Sequence, residues 1–164
     1  MNLAIITISD SASLGARADT SGDSIAEWAN VRGYAIKSRV VVPDDSVEIV
    51  RALVAACDDD ACDLVLTTGG TGLSKRDVTP EATRAVISAE APGFVEQLRS
   101  NTTRFPRAVL SRGVAGVRAR TLIVNLPGST GGVRDGLAAL DPIVSHACDV
   151  LSGRSVEHRS ADGA

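Results

Sequence analysis

The chain has 164 residues, of which 44% are apolar, so it is long enough for one domain with a layered core and too short for two ordinary domains. Aromatic residues make up only 2%, and the formal net charge is -3 at pH 7. Both values argue against a nucleic-acid-binding protein, because rings for base stacking and a broad positive surface are scarce.

The N-terminal segment MNLAIITISD is predicted to be a strand rather than a signal peptide. It has no basic start, its apolar run is short, and an aspartate follows where a signal peptide would remain apolar. No run elsewhere approaches the roughly 18 consecutive apolar residues of a membrane span. We therefore expect a cytoplasmic protein that does not contact the membrane.

Cysteine and histidine are not spaced for disulfide or metal chemistry. Cys57, Cys62 and Cys148 are odd in number and lack a CxxC pair, so neither a disulfide framework nor a zinc site is favoured. His146 and His158 stand singly, without the spacing that metal ligands require. Packed thiols and packed or solvated imidazoles are the preferred interpretation.

Strands and helices alternate through the first half of the chain. Each apolar, β-branched run ends at turn-forming residues, and each helical run repeats its apolar residues every three or four positions. Ser21 and Ser46 are the predicted N-caps of the two helices. Strands are predicted at residues 3–9, 34–42 and 64–67, and helices at 21–32 and from 46 to about 57.

The second half adds further helices and a hairpin. Thr79, followed by Pro80 and Glu81, is predicted to cap and start a helix. Pro92 and Gly93 break the chain after it. The remaining predictions are an amphipathic segment at 94–99, a hairpin of strands 114–118 and 121–126, a helix with Val133, Leu137 and Leu140, and a last helix from Pro142 to about Leu151.

This order of elements predicts an α/β fold, a three-layer α/β/α sandwich with a mainly parallel sheet. The domain is expected to span residues 1–152. Residues 153–164 are expected to form a disordered tail, because they have almost no apolar periodicity.

Ligands bind at the carboxyl ends of the strands in sheets of this kind. Applied to the predicted strands, this rule brings together loops that are rich in small polar residues, acids and glycine. We expect the functional site where they meet. The loops are residues 9–13, 43–45, 68–77 and 127–132.

The glycine loop, residues 68–77, contains the sequence GGTG. Glycine permits positive φ and a close approach of backbone N–H groups to a ligand, and concave groups of amides bind anions. A turn that only reverses the chain is the alternative, although it would need fewer glycines. Two common motifs do not match: a P-loop would need glycine at Ser74 and a hydroxyl residue at Arg76, and the dinucleotide motif fails at Lys75.

Asp44 and Asp77 are the candidate metal ligands. They stand in neighbouring loops of the predicted site, and Mg²⁺ is usually bound by one or two carboxylates together with substrate phosphates. The alternatives are that Asp44 is only a loop acid and that Asp77 only serves the start of a helix. Lys75 and Arg76 either bind a triphosphate or form a solvated charge pair.

Four stretches together resemble one known family. They are SDSASLGARADTSG, VVPDD, TTGGTGLSKRDVTPEAT and LSRGVAGVRARTLIVNLPGST. The chain resembles the molybdenum cofactor biosynthesis family, which includes the bacterial molybdopterin adenylyltransferases, MoaB-type proteins and the corresponding domains of gephyrin and its plant counterpart. The resemblance covers about Leu3 to Leu151.

This resemblance implies a molybdopterin-binding-like fold, a homotrimer or larger homo-oligomer, and a molybdenum insertase as a further partner. It also implies a reaction in which ATP and Mg²⁺ adenylylate the terminal phosphate of molybdopterin and release pyrophosphate. The family's essential acids match Asp44 and Asp77. The other residues expected to bind the two substrates are Ser9, Asp10, Ser11, Thr68, Gly69, Gly70, Thr71, Gly72, Lys75, Pro127, Gly128 and Ser129.

Two other functions are compatible with the sequence. A MoaB-type protein would bind molybdopterin, or act as a scaffold, without transferring a nucleotide. An unrelated nucleotide-binding domain that arose by convergence would bind ATP but not the pterin. The sequence is compatible with either assignment of the two substrates to the loops, and with a trimer or a hexamer.

Overall fold

A computed structural model of the chain describes residues 1–100 and 106–153. The strands form a six-stranded sheet in the order β2-β1-β3-β6-β5-β4. Neighbours from β2 to β6 are parallel, whereas β5 is antiparallel to both β6 and β4. The strands are β1 (Asn2–Ile8), β2 (Ala35–Val42), β3 (Leu64–Thr68), β4 (Ala89–Glu90), β5 (Ala115–Arg118) and β6 (Thr121–Leu126).

Helices cover both faces of the sheet. One core cluster joins it to α2, α5, α6 and α7, and the other joins it to α3 and α4. The predicted three-layer α/β/α sandwich is therefore confirmed. The helices are α1 (Asp10–Ser13), α2 (Thr20–Val31), α3 (Ser46–Val54), α4 (Thr79–Val86), α5 (Pro92–Ser100), α6 (Thr130–Leu140) and α7 (Val144–Leu151); a π-helical turn (Ala55–Asp59) extends α3, and a 3₁₀ turn (Pro106–Leu110) precedes β5.

The central strands are buried on both sides, as expected for parallel strands between two helical layers. Side chains alternate between the two clusters: Leu3 and Ile5 face one, and Ala4 and Ile6 face the other. This explains why β1 reads as a continuous apolar run instead of an alternating one.

The register of the parallel strands sets the position of the loops. Thr7 pairs with Thr68, and Thr68 pairs with Leu126, so β1, β3 and β6 end at the same level. The following loops consequently meet at one rim of the sheet, as the sequence predicted.

The two predicted serine caps are wrong. Asp19 caps α2 by accepting a hydrogen bond from the Gly22 N–H at 2.8 Å, and Asp45 caps α3 by accepting from the N–H groups of Val47 and Glu48. A carboxylate upstream of each serine is in reach of the free amides and also carries a charge that the helix N-terminus favours.

α4 begins at Thr79 with Pro80 in its first turn, as predicted, but Thr79 does not cap it. The Thr79 hydroxyl instead donates to the Gly69 carbonyl oxygen at 2.9 Å, which ties this helix to the glycine loop. The predicted hairpin of β5 and β6 is confirmed, whereas α1 and β4 were not predicted because such short elements carry no periodicity. Most of the predicted tail lies outside the described residues.

No helix within residues 1–100 and 106–153 is long and apolar enough to cross a membrane. The three cysteines are buried thiols. Burial raises the pKa of the Cys57 and Cys62 thiols to about 11.

We expect Cys57 and Cys62 to resist alkylation in the folded protein. The thiolate is the reactive form, and a pKa near 11 instead of 9.0 lowers its fraction at pH 8 by about 100-fold, before burial limits access. Iodoacetamide labelling followed by peptide mass spectrometry, in buffer and in guanidinium chloride, measures both rates. Equal rates in the two solvents would contradict the burial of these thiols.

Candidate functional site

A cleft of about 200 Å³ opens at the rim where β1 and β3 end. Its walls come from the end of β1, the segment that leads into α2, the loop after β2, the glycine loop and the turn after β6. This is the place that the strand-end rule predicts. The predicted site residues that line it are Ser9, Asp44, Thr68, Gly69, Gly70 and Gly128.

The glycine loop turns tightly over the end of β1. Gly69 has φ +102°, and a Cβ atom there would lie 2.1 Å from the carbonyl oxygen of Ile8. Gly70 has φ +61°, and its Cβ would lie 2.4 Å from the Thr79 hydroxyl oxygen. Side chains are therefore excluded at both positions by backbone conformation and by space.

Three consecutive amides of this loop point to no acceptor in the part of the chain that the structure describes. Within the described residues, the N–H groups of Gly70, Thr71 and Gly72 donate no hydrogen bond. Unpaired neighbouring amides in a glycine-rich turn form the kind of concave site that binds anions. The anion-binding role of the loop is supported and stays a prediction.

Asp44 is held beside this loop by Asp10. The Asp10 N–H donates to Asp44 Oδ2 at 2.9 Å, and the Asp44 N–H donates to Asp10 Oδ1 at 3.0 Å. Asp44 Oδ1 points at the loop, 3.3 Å from the position of a Cβ on Gly70. The reciprocal bonds therefore lock the loops after β1 and β2 together.

Asp10 also forms an ion pair with Arg76 of the glycine loop. Hydrogen bonds from the Arg76 guanidinium and then from the Asp44 N–H hold the pKa of the Asp10 carboxyl below its ordinary value. Asp10 thereby joins three of the predicted loops. Arg76 is thus not simply solvated, whereas Lys75 is exposed and makes no ion pair among the described residues.

Asp77 lies at the other end of the glycine loop. Its Oδ2 accepts a hydrogen bond from the Ser74 N–H at 2.8 Å and lies 3.0 Å from the position of a Cβ on Gly72. No side chain of the described residues caps α4, so Asp77 does not serve the helix start as a hydrogen-bonding cap. Asp77 instead shapes the loop.

Asp44 therefore faces Gly70, and Asp77 faces Gly72. The Cα atoms of these two glycines are at most about 7 Å apart, because only one residue separates them. Each carboxylate uses Oδ2 for a backbone amide. In the described part of the chain, neither Oδ1 accepts a hydrogen bond. Two oriented carboxylates, each with an open oxygen, fit the donor set of a Mg²⁺ ion.

No cluster of three or more histidine, cysteine, aspartate or glutamate residues suited to a metal occurs in residues 1–100 and 106–153. A complete protein cage for a metal is thus absent from that part of the chain.

The remaining predicted residues support the rim of the cleft. Ser9 caps α1 by accepting from the Ala12 N–H at 3.3 Å, and its hydroxyl lies 3.2 Å from that of Ser11. Ser129 caps α6 by accepting from the Gly132 N–H at 3.1 Å. Each of these hydroxyls has a structural partner as well as a position near the site.

Thr68 connects the glycine loop to the turn after β6. Its hydroxyl donates to the Pro127 carbonyl oxygen at 2.7 Å, and a Cβ on Gly128 would lie 3.2 Å from the Cα of Gly69. Thr71 is buried, with its hydroxyl 3.4 Å from that of Ser111. The structure thus brings every predicted loop to one rim.

Sequence reasoning missed one wall of the cleft. Arg17, Asp19, Thr20 and Ser21 line it from the segment that enters α2. The Asp19 side chain is only 10% exposed, and it accepts hydrogen bonds from the Thr7 hydroxyl at 3.0 Å and from the Gly22 N–H. The available signal was the run ADTSG after β1, in which the aspartate is the better helix cap.

Comparison with known proteins identifies the family of the chain. A family described as a probable molybdopterin binding domain matches residues 4–146. The chain belongs to this family. Membership in the molybdopterin-binding family confirms the resemblance that the four motifs suggested, and it covers every loop of the cleft.

Individual members of the molybdopterin-binding family match over most of their length. The molybdopterin adenylyltransferase of Helicobacter pylori strain J99 is 37% identical over 96% of this chain and 91% of its own. That of Escherichia coli K12 is 40% identical over 84% of this chain and 72% of its own. The solved structure of the molybdopterin biosynthesis enzyme MoaB from Thermus thermophilus is 44% identical, covers 93% of this chain and 96% of that one, and superposes with a TM-score of 0.88.

Replacing Gly69 tests the close approach on which the cleft depends. We expect Gly69→Ala to lower the free energy of unfolding by about 2 to 4 kcal/mol, because the methyl group would meet the Ile8 carbonyl and the backbone would stay at positive φ. Urea denaturation at a fixed protein concentration measures this change.

Gly33→Ala is the matched control. Gly33 also has positive φ, +68°, but has open space where the methyl group would lie, so we expect a loss of about 1 kcal/mol from conformation alone. Equal losses in the two variants would contradict the contact between Gly69 and Ile8.

Proposed function

We propose that the chain is a molybdopterin adenylyltransferase of molybdenum cofactor biosynthesis. It transfers the adenylyl group of ATP to the terminal phosphate of molybdopterin and releases pyrophosphate, with Mg²⁺ required. The similarity to named adenylyltransferases over most of the chain supports this reaction. The observation that carries it is the placement of two half-satisfied carboxylates beside a loop with unpaired amides.

Both substrates carry phosphate, so the site must hold two polyanions close together. The unpaired N–H groups of Gly70, Thr71 and Gly72 can donate to phosphate oxygens, and the positive charge of Lys75 is free to approach them. In the transfer, an oxygen of the pterin phosphate bonds to the α-phosphorus of ATP, and the bond from that phosphorus to the bridging oxygen of the β-phosphate breaks. Pyrophosphate leaves with that electron pair.

No protein nucleophile is needed for this displacement, so positioning and electrostatics supply the catalysis. Bound Mg²⁺ would neutralise the charge that grows on the leaving pyrophosphate. Asp44 and Asp77 would hold it through their open Oδ1 atoms, while the N–H groups of Asp10 and Ser74 keep both carboxylates oriented. The buried cysteines take no part.

A second candidate is a pterin-binding or scaffold protein of the MoaB type without transferase activity. The family description, which names a binding domain, favours it. A homotrimer or hexamer in the cytoplasm, which hands its product to a molybdenum insertase, is also part of the proposal. Sedimentation analysis of the purified protein tests the oligomeric state.

Replacing the two acids tests the proposed reaction. We expect Asp44→Asn and Asp77→Asn each to reduce adenylyl transfer by at least about 100-fold, because the amide keeps an oxygen for the backbone hydrogen bond but loses the charge that attracts Mg²⁺. Chromatographic detection of adenylylated molybdopterin, with molybdopterin, ATP and Mg²⁺ supplied, measures transfer. Molybdopterin affinity and the melting temperature are expected to stay near wild type.

Asp45→Asn is the matched control for charge removal near the site. Asp45 caps α3, and asparagine caps helices about as well as aspartate, so transfer and stability should remain near wild type. Wild-type turnover in both test variants would refute the metal assignment. Molybdopterin binding without transfer by the wild-type chain would favour the second candidate. The alternative of an unrelated nucleotide-binding domain that arose by convergence is wrong, because the chain belongs to the molybdopterin-binding family.

A further inference from the structure

The segment 111–113 lies against the glycine loop, although the proposed reaction assigns it no role. It precedes β5 and belongs to the stretch LSRGVAGVRARTL. Its central residue, Arg112, contacts the loop with its backbone and its side chain. These contacts join residues that are 35 to 41 positions apart in the sequence.

Arg112 holds both ends of the stretch from Thr71 to Asp77. Its N–H donates to the Thr71 carbonyl oxygen at 2.8 Å, its Nε to the Gly72 carbonyl oxygen at 2.8 Å, and its Nη2 to the Asp77 carbonyl oxygen at 2.6 Å. The guanidinium also forms an ion pair with Glu81 in the first turn of α4. One side chain thus spans the loop and the helix that follows it.

The bond to the Thr71 carbonyl decides where one of the three unpaired amides points, that of Gly72. A peptide group is planar and trans, so the carbonyl of Thr71 and the N–H of Gly72 belong to one rigid unit and point in opposite directions. Holding the Thr71 oxygen toward Arg112 therefore directs the Gly72 N–H away from it. The bond to the Asp77 carbonyl likewise fixes the backbone that carries the second acid.

Arg112 is itself held in place from the other side. Arg99 of α5 donates from Nε to the Ser111 carbonyl oxygen at 3.0 Å and from Nη2 to the Gly113 carbonyl oxygen at 3.0 Å. The two carbonyls flank Arg112 on both sides along the chain. The backbone that carries Arg112 is therefore anchored to α5.

The geometry requires arginine. A guanidinium presents several N–H donors in a rigid plane, whereas the ammonium group of lysine is a single point on a flexible stem. Lysine would keep the charge beside Glu81 but would lose the simultaneous bonds to the Gly72 and Asp77 carbonyls. The ion pair alone adds little stability, since the side chains of Arg112 and Glu81 are 36% and 52% exposed.

We propose that Arg112 is a positioning residue of the transfer reaction. In this role it holds the glycine loop in its anion-binding shape and sets the position of Asp77. The kinetic part of this inference rests on the proposed function, whereas its effect on phosphate binding does not.

The test compares Arg112→Lys with Arg118→Lys in the full chain. Arg118 is a matched control at the opposite end of β5: it pairs with Asp58, donates to the Val86 carbonyl oxygen at 3.1 Å, and its side chain is 30% exposed. We expect Arg112→Lys to raise the KM for ATP at least about tenfold and to lower kcat/KM by about 10- to 100-fold, as expected for misplaced substrate groups. Arg118→Lys should leave both constants near wild type, with a similar change in melting temperature in the two variants.

Two results would overturn the inference. The first is a wild-type KM and kcat in Arg112→Lys. The second is an equal loss of kcat/KM in Arg112→Lys and Arg118→Lys, in proportion to the loss of melting temperature. If the wild-type chain transfers no adenylyl group, the proposed function fails, and calorimetric titration with ATP and Mg²⁺ decides the role of Arg112. Binding at least about tenfold weaker in Arg112→Lys alone would support it, and equal affinities would refute it. A wild-type chain that binds no ATP would refute both proposals.

Discussion

The close approach of the Gly69 backbone to the carbonyl oxygen of Ile8 is the contact on which the site depends. Because β1 and β3 are parallel and in register, the chain leaving β3 must pass directly over the end of β1. Only glycine fits at position 69, because a Cβ atom there would lie 2.1 Å from the carbonyl oxygen of Ile8. The loop consequently stays low over the sheet, within reach of Asp44 on one side and α4 on the other.

The charges of the site are organised mainly by backbone groups. Amides of Asp10 and Ser74 orient the two candidate metal ligands, and carbonyls of the glycine loop accept from Arg112. Orienting a charge with a peptide group avoids the conformational entropy that is lost when two long side chains are fixed in an ion pair. Such a site is organised before its ligands arrive, which is the condition for electrostatic stabilisation of a transition state.

The layered architecture was predictable because its signals are local. The apolar run of β1 and the three-to-four-residue spacing of apolar residues in α3 mark the residues that each segment buries, and both patterns can be read from the segment alone. The helix caps were harder, since Asp45 and Ser46 are adjacent and both suit the position; only the observed hydrogen bonds distinguish them. The meeting of the loops was also predictable, because strands that alternate with helices form a parallel sheet, and parallel strands end at the same edge.

The wall formed by Arg17 and Asp19 could not be predicted from the same rule. It depends on how residues 10–19 fold back across the cleft through α1, which is too short to leave a periodic signal. The contacts of Arg112 were equally inaccessible, because they join segments distant in sequence through carbonyl oxygens, which every residue possesses. Neither charge nor spacing distinguishes this arginine from Arg118.

The reversed direction of β5 brings a segment that precedes a strand to the functional edge of the sheet. A strand that runs against its neighbours delivers its leading segment, instead of its trailing one, to the ligand-bearing edge. Residues 111–113 lie at this edge although they come before a strand and not after one. In such topologies the stretch just upstream of an inverted strand can shape a ligand site as directly as a crossover loop does.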